Sequence, residues 1–293
     1  MYSFKQIQGI IHGSRVRLYF TFLSFPLVGM CLGYRDAGYV PFTFIFLIPI
    51  LMANMSIANL LNALFDFESK IDEKETSSDR TMFDYDLTSK DIWNVVYFDI
   101  LLMFSFSFLA FSHFNNTQMI YVFMYLCFDI FLAIAYNVPP FRLKTKLFGG
   151  EISGLLLFMT YVNLSYFLIT GVSNMTICFT DFPGIILPMW AAIANFYIDS
   201  EEDKKDGSTS SAILFANTSI PKILIIGLPT MIYLLTIIYA IRHNNVYSCL
   251  PLLTIPMKFN VVKYSLQKKK LGKKLYFKSI LLFNVLSIIG IIF

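Results

Sequence analysis

Long runs of apolar residues, separated by short polar stretches, dominate the pattern of this chain. The runs are about 17–25 residues long, which is the length that an α-helix needs to cross the hydrocarbon core of a bilayer. Thr88 and Asp91 have the spacing of a capping box, which predicts the start of one such helix. Pro251 and Pro256 interrupt another, which is the least regular. We expect roughly nine membrane-spanning helices, at residues 16–34, 40–65, 92–113, 118–136, 151–170, 183–199, 221–241, 246–262 and 276–293.

The composition narrows the class of protein. Of the 293 residues, 56% are hydrophobic and only 14% are charged, and the mean hydropathy is +0.63. Because this leaves too few polar residues to cover a soluble core, it excludes a soluble enzyme, a disordered chain and a disulfide scaffold. A net charge of +4 is too small to indicate a nucleic-acid partner. We therefore predict an all-α polytopic membrane protein, with residues 1–293 forming a single transmembrane domain.

Basic residues are distributed unevenly between the polar stretches. With nine helices across the membrane, 21 of the 23 Lys and Arg residues lie on the side of the N-terminus, and only Arg35 and Arg242 lie opposite. The positive-inside rule predicts that side to be cytoplasmic. Fifteen of the 19 Asp and Glu residues fall on the same side, so we expect any chemistry there. The lysines from Lys263 to Lys278 flank the last helix, where we expect them to contact anionic lipid headgroups.

Two predicted helices end on this side in a stripe of carboxylate and amide side chains. At the end of the second helix, Asn59, Asn62 and Asp66 are three and four residues apart and share one helical face; Asp72 follows. At the end of the sixth helix, Asn195, Asp199 and Asp203 repeat the pattern at intervals of four. Clusters of carboxylate and amide oxygens suit Mg²⁺, which binds a few carboxylates together with the phosphates of a substrate.

A single polar helix end is ordinarily just the solvated end of a helix that leaves the membrane. Two Asn-x-x-x-Asp stripes on the same side favour a functional interpretation, because clustered acids repel one another unless cations join them. The loop from Tyr136 to Glu151 contains Arg142 and Lys144, and it is either a simple basic connector or a clamp for a diphosphate. Asp129 lies seven residues before Tyr136 on the same helical face and is either a cavity residue that accepts a proton or a structural carboxyl.

These motifs together resemble the UbiA superfamily of intramembrane prenyltransferases. The resemblance rests on Asn62-x3-Asp66-x5-Asp72, on the Tyr136, Pro139-Pro140, Lys144 and Gly150-Glu151 loop, and on Asn195-x3-Asp199-x3-Asp203. It extends over nearly the whole chain, because the number, order and orientation of the predicted helices also agree. The five-residue gap before Asp72, and Asp79-Arg80 beyond it, look most like the menaquinone-type branch, which prenylates 1,4-dihydroxy-2-naphthoate.

The resemblance implies a ring of nine helices around a central cavity and a Mg²⁺-dependent prenyl transfer. The donor would be an isoprenoid diphosphate, the acceptor a lipophilic or aromatic quinone precursor, and the surroundings membrane lipids. The catalytic carboxylates would be Asp66, Asp199 and Asp203, and the metal ligands would be Asn62, Asp66, Asp72, Asn195, Asp199 and Asp203. Arg80 and Lys144, and more loosely Arg15, would bind the diphosphate. The loop itself adds Arg142 as a candidate diphosphate ligand, and the shared helical face adds Asp129 and Tyr136 as candidate cavity residues.

The sequence departs from the family pattern at two positions. The family usually has Asp directly after the Asn of the first motif and Arg directly before the Asp of the second, where this chain has Ala63 and Ile198. A second hypothesis is therefore a UbiA-type membrane terpene cyclase, which uses a prenyl diphosphate without an acceptor. A third is a non-catalytic transporter or channel, which the clustering of acids at one face disfavours.

Overall fold

The computed structural model describes residues 2–69, 79–205 and 209–293, apart from the side chains of Glu202 and Lys205. Over these residues the chain forms α-helices, short 3₁₀ segments and turns, and no β-strand, so the predicted all-α class is confirmed. The α-helices are α1 (Phe4–Gly13), α2 (Tyr19–Ala37), α3 (Leu47–Glu68), α4 (Thr81–Asp84), α5 (Ser89–Ala110), α6 (Asn116–Asn137), α7 (Gly149–Thr170), α8 (Ile177–Thr180), α9 (Leu187–Lys205), α10 (Ser211–Leu214), α11 (Ile220–Arg242), α12 (Ile255–Leu266) and α13 (Leu271–Ile292).

Seven helical segments of the described residues are long and apolar enough to cross a membrane. They coincide with seven of the nine predicted spans, and they make the chain an integral, multi-pass membrane protein. The other two predicted spans are helical but do not meet the same criteria. One is α9, which ends in a run of charged residues; the other divides into a 3₁₀ segment of 9 residues, Val246–Thr254, and α12 of 12 residues. The number nine is therefore not established.

The N-terminal helical segment begins earlier than the predicted residue 16. Ser3 caps α1 in a capping box with Gln6, which gives hydrogen-bond partners to the backbone amides of Ser3 and Gln6. Phe4, Ile7 and Ile11 are exposed on one side of α1 at intervals of three and four residues. An exposed apolar face on a short helix is typical of a segment that lies in the membrane interface.

The described chain divides into two compact units. Unit 1 comprises Met1–Tyr19 and Phe42–Arg142, and in it α3 packs against α5, α6 and α1. The side chain of Asn137 at the end of α6 donates a hydrogen bond of 2.8 Å to the carbonyl of Ala58 on α3. Because Asn137 is fully buried, this bond satisfies its amide nitrogen and attaches the end of α6 to α3.

Unit 2 comprises Phe20–Pro41 and Leu143–Phe293, and α7 is its most deeply buried long helix. Gly29 and Gly33 of α2 lie directly against α7: a Cβ atom on Gly29 would stand 2.1 Å from the carbonyl oxygen of Val162. Only glycine permits this approach, as in other membrane helix pairs with two glycines four residues apart. Next to α7, α9 packs against α11 and α12, and Trp190 donates a hydrogen bond of 3.0 Å to the carbonyl of Ile225. The single-domain organisation stays a prediction.

Lys258 differs from the sequence-based assignment, which counted it among the basic residues of the cytoplasmic side. In the structure it lies within α12 and is 1% exposed. Its ammonium lies 4.8 Å from the ring centre of Trp190 and 5.2 Å from that of Phe283, and it donates a hydrogen bond of 3.3 Å to Ser279. The two aromatic faces stabilise a charge that the apolar interior would otherwise disfavour.

Candidate active site

The first acidic stripe lies on α3 in unit 1. The amide of Asn62 donates a hydrogen bond of 3.0 Å to Oδ2 of Asp66, and Arg142 approaches Oδ1 of the same carboxylate at 3.5 Å. Asp66 is therefore held by an amide one turn earlier on its own helix and by a cation from the end of unit 1. Asn59 has a different role, because its amide donates to the carbonyls of Met55 and Ser14. Asp72 lies outside the described residues.

Two predicted diphosphate ligands of unit 1 form ion pairs with nearby carboxylates. Arg15 lies 3.2 Å from Asp79, and Arg80 forms two hydrogen bonds of 2.7 and 2.9 Å with Asp84. The Arg80 guanidinium also lies 5.4 Å from the ring centre of Phe83. These contacts orient both cations, and each cation reaches a phosphate only if it shares or exchanges its carboxylate partner.

The predicted cavity residues lie on α6 in unit 1. Asp129 is 1% exposed, and Tyr136 is half-buried near the end of the helix. Seven residues correspond to almost two turns, so both side chains lie on the same side of α6, as predicted. A fully buried carboxyl in the middle of a membrane helix is energetically costly and is commonly functional.

The second acidic stripe lies on α9 in unit 2. Asn195, Asp199 and Asp203 are half-buried, whereas the residues between Asn195 and Asp199 are buried. The stripe is thus the accessible side of an otherwise packed turn. Oδ2 of Asp199 accepts a hydrogen bond from the ammonium of Lys273, and Oδ1 is buried without a hydrogen-bond partner in the described structure. A buried carboxylate oxygen with a free lone pair fits a metal ligand.

The backbone of Lys144 lies close to this part of α9 because Gly150 permits a tight connection. It belongs to the 3₁₀ segment Leu143–Thr145, which precedes α7. A Cβ atom on Gly150 would stand 2.5 Å from the ring of Phe196 on α9 and 3.4 Å from Cα of Lys144. Gly150 therefore allows the backbone of Lys144 and a residue of the second motif's turn to pack against the start of α7.

Glu151, the last residue of the predicted loop motif, is buried at the start of α7. Its carboxylate accepts a hydrogen bond from the hydroxyl of Ser211, at the first position of α10. This places Glu151 in a structural contact that attaches α10 to α7.

The described residues contain no group of three His, Cys, Asp or Glu side chains that could hold a metal ion by themselves. Mg²⁺ does not require such a group, because it usually retains several waters and binds one or two carboxylates plus substrate phosphates. Asp66 with Asn62, and Asp199 with its free oxygen, each fit that smaller requirement.

Sequence reasoning missed Lys273 as a partner of the second motif. Lys273 and Asp199 are 74 residues apart, and no periodicity links them. The only sequence feature that marks Lys273 is the cluster of lysines before the last helix, and we interpreted that cluster as a lipid contact.

The sequence matches the model of the UbiA prenyltransferase family over residues 22–285. The chain belongs to the UbiA prenyltransferase family. The enzyme class predicted from the motifs, a prenyltransferase, is thus the class of the family. The menaquinone-type branch is a finer assignment that the match does not make.

A curated relative in this family is UbiA prenyltransferase domain-containing protein 1 of Dictyostelium discoideum, 29% identical over 145 residues. The match spans 48% of this chain and 43% of that protein, so the chain matches less than half the length of its curated relative.

Solved UbiA structures have the same fold as this chain. A UbiA homolog from Aeropyrum pernix K1, solved in the apo state, is 12% identical with a TM-score of 0.71, covering 93% of this chain and 97% of that one. A homolog from Archaeoglobus fulgidus bound to DMAPP and Mg²⁺ is 14% identical with a TM-score of 0.62, covering 92% and 98%. A digeranylgeranylglyceryl phosphate synthase is 16% identical with a TM-score of 0.64, covering 98% and 99%. At these identities the likeness concerns the fold alone.

Proposed function

We propose that this chain transfers a prenyl group from an isoprenoid diphosphate to an acceptor in a Mg²⁺-dependent reaction that releases diphosphate. The observation that carries the proposal is the Asp199 carboxylate, with one oxygen buried and free of hydrogen-bond partners, on the accessible stripe of α9. Membership of the UbiA prenyltransferase family supports it. The Archaeoglobus fulgidus homolog bound to DMAPP and Mg²⁺ has the same fold, and we assign the same classes of ligand to this chain.

The residues proposed to hold Mg²⁺ all have a carboxylate or an amide oxygen in the side chain. Asp66 and Asp199 are the central proposed ligands, and both are half-buried. One oxygen of Asp66 is directed to Arg142, and one oxygen of Asp199 has no hydrogen-bond partner in the described structure. The full set is Asn62, Asp66, Asp72, Asn195, Asp199 and Asp203. When bound there, the divalent cation neutralises diphosphate oxygens and makes the diphosphate a better leaving group.

The basic residues of the site have a separate task. As the allylic C–O bond breaks, its electron pair moves to the diphosphate, and negative charge grows on those oxygens. Fixed cations stabilise that charge most when they are oriented before the reaction. The contact of Arg142 with Asp66 and that of Arg80 with Asp84 orient these two guanidinium groups. Lys144 and Arg15 complete the proposed set. The allylic carbon then accepts electrons from the acceptor, which loses a proton, and Asp129 is the proposed proton acceptor.

We propose an aromatic acceptor of the quinone-precursor type for this reaction. This assignment comes from the spacing of the first motif and from Asp79-Arg80, which resemble the menaquinone-type branch. The digeranylgeranylglyceryl phosphate synthase shares the fold, so the acceptor test includes a glyceryl phosphate lipid as well as a dihydroxynaphthoate.

Purified protein in lipid nanodiscs, supplied with radiolabelled geranyl diphosphate, tests the reaction. We expect Mg²⁺-dependent diphosphate release and a prenylated aromatic product only when 1,4-dihydroxy-2-naphthoate is present. A cyclic hydrocarbon without any acceptor supports the cyclase hypothesis that Ala63 suggested. A prenylated glyceryl phosphate lipid contradicts the aromatic acceptor but not prenyl transfer.

The Asp199→Ala variant tests the assignment of the site. We expect it to remain folded and to lose diphosphate release, because the free buried oxygen is removed. Glu201→Gln is the matched control: Glu201 lies two residues along the same helix, its side chain is 69% exposed, and it is outside the proposed site. Full activity in Asp199→Ala contradicts the site, and inactivity in both variants points to a general disturbance of α9.

A further inference from the structure

The short connection between α12 and α13 contacts the end of α9 in unit 2. Lys268 donates hydrogen bonds of 2.8 Å to the hydroxyl of Ser200 and 3.0 Å to the carboxylate of Glu201. Lys273, in the first turn of α13, donates to Oδ2 of Asp199. Two of the lysines expected to contact lipid headgroups therefore bind the end of α9 instead. Lys273 binds Asp199 of the second acidic motif, and Lys268 binds the neighbouring Ser200 and Glu201.

The ammonium of Lys273 occupies one oxygen of a carboxylate proposed to bind Mg²⁺. The pair is only partly accessible: the side chain of Asp199 is 15% exposed and that of Lys273 is 28% exposed. Removal of the ammonium from such a place leaves a poorly solvated carboxylate, so in the absence of a metal the negative charge of Asp199 needs another cation. The flexible four-carbon side chain of a lysine can bring its ammonium to the carboxylate and can also move the ammonium away from it.

The helix contact next to this ion pair does not depend on it. Gly272 precedes Lys273, and a Cβ atom on Gly272 would stand 3.2 Å from the side chain of Ile198 and 3.1 Å from the hydroxyl of Ser265. Gly272 is buried, so the start of α13 is packed against α9 through backbone and apolar atoms. The ammonium can therefore change partner without separating the two helices.

We propose that Lys273 is an exchangeable counterion of Asp199 that becomes a diphosphate ligand. Without metal, its ammonium neutralises Asp199. When Mg²⁺ binds Asp199, the two cations repel each other, and the ammonium moves to an oxygen of the diphosphate that arrives with the metal. No covalent bond changes in this exchange. The inference rests on the proposed function, since it assumes that Asp199 binds Mg²⁺ and that the ligand carries a diphosphate.

Exchange predicts opposite effects on two binding reactions when the ammonium is removed. Lys273→Met keeps most of the aliphatic side chain but removes the ammonium. Mg²⁺ then no longer competes with the ammonium for Asp199, so the affinity for Mg²⁺ alone rises. The affinity for inorganic pyrophosphate at saturating Mg²⁺ falls, because one ligand is lost. We expect about tenfold in each direction, the size of one charged hydrogen bond in a partly accessible place. Lys273→Arg keeps the charge and restores pyrophosphate binding.

The experiment measures both affinities by titration calorimetry on the protein in nanodiscs. Lys274→Met is the matched control, since Lys274 is the exposed neighbour of Lys273 on α13, and we expect it to change neither affinity. If the wild-type protein binds Mg²⁺ and pyrophosphate and Lys273→Met has the same affinities as Lys274→Met, the exchange of Lys273 is contradicted. The proposed function is not contradicted by that result.

Other outcomes are equally decisive. Failure of the wild-type protein to bind either ligand contradicts the proposed function itself. A purely structural ion pair predicts a lower melting temperature for Lys273→Met with both affinities unchanged or both reduced. Lys273→Gln is the second variant in case the first does not fold. If neither folds, the ion pair is needed for the helix contact, and the exchange is overturned.

Discussion

At the scale of single residues, Asp66 and Asp199 occupy equivalent places in the sequence pattern but have different partners in the structure. Asp66 accepts from Asn62, one turn earlier on the same helix, which the interval of four residues predicts. The cations that reach the two carboxylates, Arg142 and Lys273, come from residues 76 and 74 positions away. No local pattern predicts such a pairing, because it depends on how separate helices pack.

The Asp66→Asn variant is expected to lose prenyl transfer while keeping its fold. Asparagine retains the size of the side chain but removes the charge that a metal and Arg142 require. We expect diphosphate release to fall by about a hundredfold or more, as is typical when a group that stabilises developing charge is removed. The measurement is steady-state diphosphate release in nanodiscs.

The matched control for this variant is Asp86→Asn, because Asp86 is an exposed carboxylate of the same unit that pairs with Lys5. It is expected to retain activity. Wild-type rates in Asp66→Asn would exclude Asp66 from the metal site.

Asp79 is expected to make stability depend on pH. Burial by itself would raise the pKa of this carboxyl, but hydrogen bonds from Thr81 and the charge of Arg15 lower the pKa below its ordinary value. A lowered pKa stabilises the folded protein above the ordinary pKa of an aspartate, about 4, and this contribution is lost as the pH falls through the lowered value. Asp79→Asn should therefore have a lower melting temperature than the wild-type protein at pH 7. Below about pH 4 the two melting temperatures should approach each other.

Thermal unfolding in detergent at a series of pH values measures this effect. An equal deficit of the Asp79→Asn variant at every pH would mean that Asp79 acts by its shape and not by its charge.

At the scale of helices, local sequence signals determine where helices begin and end, and packing determines which helices contact each other. Thr88 caps α5 in a capping box with Asp91, as the sequence predicts, because the two residues need only their own backbone turn. The regular apolar helices also agree with the predicted spans to within a few residues. The interrupted eighth segment does not form one long helix: Pro251 lies inside a 3₁₀ segment and Pro256 at the first turn of α12. Proline lacks the amide that a continuous helix requires there.

The close contact of α2 with α7 predicts a strong effect of a small substitution. In Gly29→Ala, the new methyl group meets the carbonyl of Val162, and backbone atoms must move apart. We expect a loss of about 1–3 kcal/mol in the free energy of unfolding, as for other overpacked sites. The comparison variant is Gly227→Ala on α11, where a Cβ atom has nothing within 4 Å.

Alanine has the higher helix propensity, so Gly227→Ala is expected to be neutral or slightly stabilising. Thermal unfolding of both variants in the same detergent makes the comparison. An equal loss in both variants would contradict a specific effect of the contact with Val162, because helix propensity by itself favours alanine at both positions.

At the scale of the whole molecule, the orientation in the membrane rests on the distribution of charge. The excess of Lys and Arg predicts that the polar ends of α3 and α9 face the cytoplasm. Single cysteines test this prediction in a chain whose accessible Cys127 and Cys249 are replaced by serine, with Cys31 and Cys178 left buried. A membrane-impermeant maleimide applied to intact cells should label Ser112→Cys at once and Lys204→Cys only after the membrane is opened; both positions are exposed.

The reverse labelling pattern would place the acidic motifs outside the cytoplasm. Labelling of both positions in intact cells would contradict the predicted number of crossings between them.

The sequence by itself determined the class of the molecule and most of its long helices. Nineteen acids among 293 residues, and apolar runs of membrane length, leave an all-α membrane protein as the stable solution, since each helix satisfies its own backbone in lipid. The sequence also determined the two polar stripes, because intervals of three and four residues place side chains on one face of any helix.

Tertiary structure alone decided which cations meet those stripes and how closely helices approach. Lys273 reaches Asp199 because α13 packs on α9 at Gly272 and Ile198, and Lys258 is buried because α12 turns it toward Trp190 and Phe283. Such contacts join residues far apart in the chain, and their energies depend on distances of a few ångström. Periodicity carries no information about those distances, so only the packed structure provides them.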